Sequence, residues 1–73
     1  MKITQQIPHI LGNDVIAIEI EAEDNNGEKV SVLHPIPEED RKGVRDWRQE
    51  EVDIIIDKIA TEKNWVLFKD EEN

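Results

Sequence analysis

The chain has 73 residues, no cysteine, and eighteen acidic against nine basic side chains, for a formal net charge of −9. That length allows one small domain, built without disulfides or thiolate chemistry. A charge this negative disfavours direct binding to nucleic acid or to an anionic membrane surface.

No apolar run approaches the ~18 residues of a membrane span. The segment MKITQQIPHILGND lacks the continuous apolar core of a signal peptide. A cytoplasmic protein is therefore expected. Only 37% of residues are hydrophobic, but they are patterned, so a folded domain spanning 1–73 is expected rather than disorder.

In chain order, residues 2–7 alternate and read as an edge strand, with Ile3 and Ile7 on one face. Pro8 excludes a helix interior there and is tolerated at a sheet edge. Gly12-Asn13-Asp14 reads as a turn. Residues 15–23 form the clearest strand. Ile16, Ile18, Ile20 and Ala22 point one way, and Glu19, Glu21 and Glu23 the other, with Val15 and Ala17 ahead of the glutamates.

The strand over 28–34 follows, with Val30 and Val32 inward. A two-residue Asn26-Gly27 loop would mix the faces. A three-residue loop over 25–27 pairs Ala22 with Val30, Ile20 with Val32 and Glu23 with Lys29. It puts Gly27 in the left-handed position of a type I turn with a G1 bulge. His34-Pro35-Ile36-Pro37 is extended, and Glu38, Glu39 and Asp40 suit a single turn.

The segment DWRQEEVDIIIDKIATEKN, Asp46 to Asn64, has the long helical period of the chain. Val52, Ile55, Ile56 and Ile59 fall on one face. Asp46 with Gln49 reads as a capping box, and Asn64 as the left-handed stop. At 100° per residue from a start at Asp46, Trp47 and Ile54 share a second, small apolar stripe. Glu50, Asp53 and Asp57 make a third, acidic one. Trp65-Val66-Leu67-Phe68 reads as a last strand, Trp65 as a core residue, and 69–73 as a mobile charged tail. The expected fold is α+β: a small antiparallel sheet of three to four strands with one long helix packed on one face, in the order β-β-β-α-β.

No catalytic constellation is visible. An EF-hand loop aligned on Gly27 would need carboxylates at Ala22 and Leu33, so an ordinary turn is favoured. His9 and His34 lack the ligand spacing of a metal site, and Ser31 points outward from mid-strand. No enzyme activity, metal or cofactor is expected. The cluster Arg41, Lys42, Arg45 and Arg48 is expected to pair with Glu38, Glu39, Asp40 and the acidic tail rather than with phosphate.

Function is therefore sought in binding. An aromatic anchor beside an aliphatic residue, rimmed by charge, suits an interface, so Trp47, Ile54, Glu50, Asp53 and Asp57 are the candidate partner-binding residues. Alternatively Trp47 folds back on His34-Pro35-Ile36-Pro37 and completes the core. The best reading is a non-enzymatic protein that binds another protein with a basic surface, with a homodimer as a further option. Two alternatives stand. Acids about 5–6 Å apart on the helix and about 6.8 Å apart along the strand suit a nucleic-acid mimic that inhibits a DNA- or RNA-binding protein. The chain is also compatible with a structural subunit of an assembly. Size and composition suit an accessory protein of a phage or other mobile element.

Overall fold

The computed structural model describes residues 1–67. Strands β1 (Lys2–Leu11), β2 (Asp14–Glu23) and β3 (Lys29–Pro35) form an antiparallel sheet in the order β1-β2-β3. Short 3₁₀ turns at Glu38–Asp40 and Val44–Asp46 lead into helix α1 (Gln49–Lys63). The helix packs on one face of the sheet, as expected for an α+β domain. Residues 65–67 are irregular, so the sheet has three strands among the described residues. Phe68, the end of the expected fourth strand, and the expected tail at 69–73 lie outside those residues.

The β2–β3 register is the one the alternation demands: Ala22 faces Val30, Ile20 faces Val32 and Glu23 faces Lys29. Gly27 has a φ of 83°, a conformation that costs glycine little. The Asp24 carboxylate accepts from the Asn26 and Glu28 N–H groups at 2.8 and 2.9 Å. At the other hairpin, Leu11 faces Asp14 across Gly12-Asn13, with Gly12 at φ 65°.

Strand β1 runs four residues past its expected end, straight through Pro8. The ladder explains why. Ile36 N–H donates to Ile16 O at 2.9 Å. Hydrogen-bonded pairs alternate from there, so Ile18 directs its main-chain groups toward His34 on β3. Pro8, opposite Ile18 on the other side, therefore turns its nitrogen out of the sheet edge. The missing N–H breaks no bond to β2.

Two bulges correct the expected faces. Thr4 is the extra residue between Ile3/Ala22 and Gln5/Glu21. Ile3 packs against the core, while Ile7 pairs with Glu19 on the outer face and is exposed. Ile16 is the extra residue between His9/Ala17 and Ile10/Val15. Val15, expected on the wet face, is thereby turned into the core at 1% exposure. Ile16, expected inward, is only half-buried. A one-residue insertion in a strand of period two reverses every side chain beyond it.

Val15, Ile18 and Ile20 from β2, with Ile36, meet Ile55, Ile56 and Ile59 of α1 in one buried cluster. Each such side chain contributes about 1.5–3 kcal/mol by leaving water. Val32, Val52, Trp47, Trp65 and Leu67 pack around it. The helix ends in a Schellman motif. Asn64 is left-handed at φ 60°, its N–H donates to Thr61 O, and Trp65 N–H donates to Ala60 O.

The helix start corrects the expected capping box. Arg48, in an extended conformation, is the N-cap and supplies no side-chain bond. Asp46 ends a separate 3₁₀ turn. Trp47 between them is extended (φ −84°, ψ 127°) and packs inward. Burial of the indole ring outweighs the few tenths of a kcal/mol that favour continuing the helix through it.

Candidate interaction surface

The helix turns Ile55, Ile56, Ile59 and Ala60 to the sheet. Its opposite side carries Glu50, Asp53, Ile54 and Asp57, all exposed. Ile54 is 60% exposed, one of the most open large aliphatic side chains described. Asp53 accepts from Gln49 Nε2 at 2.9 Å, and the same amide donates to Gln6 Oε1 at 3.1 Å, linking the helix start to β1. Among the described residues the carboxylates of Glu50 and Asp57 make no hydrogen bond or ion pair. Four of the five residues expected to contact a partner thus lie together on the outer side of α1.

Trp47 does not join them on a helical stripe, because it precedes the helix. It comes to Ile54 another way. A groove of about 400 Å³ between α1 and the end of β3 is lined by His34, Ile36, Pro37, Trp47, Ile54 and Lys58, among others. It continues past His34 and Ile54 to Asp57, Thr61 and Glu62. Trp47 therefore shares this groove with the 34–37 segment, packs on the core cluster that includes Ile36, and still borders open space. Lys42 Nζ lies 4.9 Å from the centre of its ring, within cation–π range, and bonds both Glu51 carboxylate oxygens at 2.8 and 2.6 Å. The indole Nε1 is buried without a hydrogen-bond partner among the described residues. On its other side Trp47 lines a smaller recess with Gln6, Pro8, Val15, Val44 and Val52.

The second acidic row lies on the outer face of the sheet. His9 Nε2 is 2.9 Å from Glu19 Oε1, Thr4 Oγ1 donates to Glu21 Oε1 at 2.8 Å, and Glu23 faces Lys29. Each glutamate of this row thus has a neighbour of other chemistry across the strand, unlike Glu50 and Asp57 on the helix.

Within the described residues Arg41 and Lys42 of the basic cluster pair otherwise than with Glu38, Glu39 or Asp40, and the acidic tail expected as a further partner lies outside those residues. Arg41 Nε donates to Ile36 O at 2.9 Å, and Lys42 reaches across to Glu51 on the helix. Neither the Lys42–Glu51 ion pair nor the His9–Glu19 contact involves Glu38, Glu39 or Asp40. These local acids sit on a turn whose side chains point to water, whereas Glu51 faces the segment that Val15 N–H fixes by bonding Lys42 O.

His34 is a site residue the sequence reading passed over. The alternation Val30, Val32, His34 puts it on the helix side of β3, and that signal was available in the strand pattern. His9 lies on the opposite face. Among the described residues no three His, Cys, Asp or Glu side chains gather as a metal site would require. Nor is any helix there long and apolar enough to cross a membrane.

No protein-family model, curated protein or solved structure matches this chain.

Proposed function

We propose that the chain is a small non-enzymatic binding protein that docks on a basic surface of another protein through the outer side of α1. The observation that carries this reading is the company Ile54 keeps. A largely exposed isoleucine stands among Glu50, Asp53 and Asp57, two of which have no partner among the described residues. An apolar anchor rimmed by unneutralised charge suits a contact that is steered by charge and fixed by burial. Against catalysis, Ser31 and His34 project to opposite faces of β3 and so do not form a serine–histidine pair with each other.

The test is a triple variant, Glu50→Gln, Asp53→Asn, Asp57→Asn. These side chains are exposed, so folding should be retained, as circular dichroism would show. Capture of a basic partner from host lysate should be lost, and wild-type capture should weaken steeply between low and high salt. Salt-independent capture that survives the triple change would sink the proposal. If the captured partner binds DNA or RNA and nucleic acid competes with the chain for it, the mimic reading holds instead.

A further inference from the structure

The sheet has two edges, and they are not equivalent. On β1, Pro8 points its nitrogen outward at mid-strand. A strand laid along that edge would lose a donor there and meet the ring, which is a common way of protecting an edge. On β3 the hydrogen-bonded pairs with β2 fall at Val30, Val32 and His34. This follows from both ends of the ladder, where Asp24 N–H donates to Glu28 O and Ile36 N–H to Ile16 O, each at 2.9 Å. The main-chain groups of Lys29, Ser31 and Leu33 therefore face outward, as does the nitrogen of Pro35, which lacks a donor but stands at the end of the strand rather than in its middle. No described residue pairs with that edge. Val30 and Leu33 stand 40% and 56% exposed along it.

The groove described above lies between α1 and the end of this strand, at His34 and Pro35. A strand added to β3 would place alternate side chains over its floor, between His34 and Ile54, and the others beside Ser31 and Leu33 on the outer face. The groove also selects by charge. Asp40, Asp57 and Glu62 border it, with Glu51 neutralised by Lys42 and with Lys58 as a further cation. Strand β3 itself carries no carboxylate and one cation, Lys29, at the end away from the groove, so an incoming basic side chain meets its acid on the helix. A second copy of the chain would bring another −9 to the same place.

We propose that the β3 edge and the α1 groove together bind an extended, basic segment of a partner protein, which adds to the sheet as a fourth strand. This rests on the reading of the chain as a binder of basic protein surfaces and says which part of the partner is held. Main-chain bonds to Ser31 and Leu33 supply the pairing. The groove, with Ile54 and His34 on its walls, accepts the alternate side chains.

The probe is a seven-residue peptide of alternating lysine and valine, added to the whole chain at low salt and followed by NMR. Binding should slow hydrogen exchange at the Ser31 and Leu33 amides and shift the Ile54 methyl signals. N-methylation of the peptide at alternate residues, on the edge that pairs with β3, should weaken binding about tenfold, as expected for the loss of one or two main-chain bonds. Ser31→Pro should do the same. The N-methylated peptide supplies that answer even if the substitution impairs folding. A glutamate–valine peptide should not bind.

Equal binding of the N-methylated peptide or of the glutamate peptide would overturn the proposal. So would Ser31 and Leu33 amides already protected in a dimer of the free protein. If the lysine peptide binds along Glu50, Asp53 and Asp57 and leaves β3 untouched, the edge site is wrong and the basic-partner reading stands. If it binds nowhere, both fall.

Discussion

Trp47 and Ile54 border the same groove but are held very differently. The indole of Trp47 packs against the core cluster with Lys42 over its face, whereas Ile54 is mostly in water. Trp47→Ala should cost about 2–4 kcal/mol, below the cost of a fully buried tryptophan because one edge is open. Ile54→Ala should stay within about 0.5 kcal/mol. Urea unfolding of both variants checks this, and equal effects would show that the ring is not part of the core. The sequence pattern linked these two residues for the wrong reason. Asp46 and Gln49 have the spacing of a capping box, so the helix was expected to start before Trp47 and to carry it on a stripe. The side chain's preference for burial, which no local spacing records, ends the helix instead.

Among the elements, α1 begins with an uncapped turn, since Arg48 offers no acceptor to the first N–H groups. Arg48→Ser should supply one and raise stability by about 1 kcal/mol. For a domain this small that is a rise of about 4–8 °C in Tm. An unchanged Tm would mean that those N–H groups are already satisfied by solvent. The strands show where a sequence can be read and where it cannot. An apolar residue alternates with glutamate from Ile18 to Glu23, so face and register are legible, loop length included. Both bulges fall where the alternation is silent. Val15-Ile16-Ala17-Ile18 is apolar throughout, and Thr4-Gln5-Gln6 is polar throughout, so no residue marks the change of phase. The helix face toward the sheet was legible from its period. The groove was not, because it depends on where β3 and α1 come to rest.

For the molecule as a whole, a charge of −9, with both histidines neutral, is set against one lysine–glutamate ion pair among the described residues. Self-repulsion should therefore dominate the electrostatics of folding. Raising sodium chloride from about 10 mM to about 500 mM shortens the screening length from about 30 Å to a few ångströms and should raise Tm. A fall in Tm would mean that attractive pairs prevail. The placement of the charge has a separate consequence. Neither edge strand carries a carboxylate. Glu19, Glu21 and Glu23 lie on one broad side, and Glu50, Asp53 and Asp57 on the other. At physiological salt the two rows are separated by more than the screening distance of about 8 Å, so each acts on its surroundings independently. The domain thus presents an acidic row on each of its two broad faces. In a crowded solution two such domains repel most strongly face to face, so the charge sets the angle of approach as well as the distance.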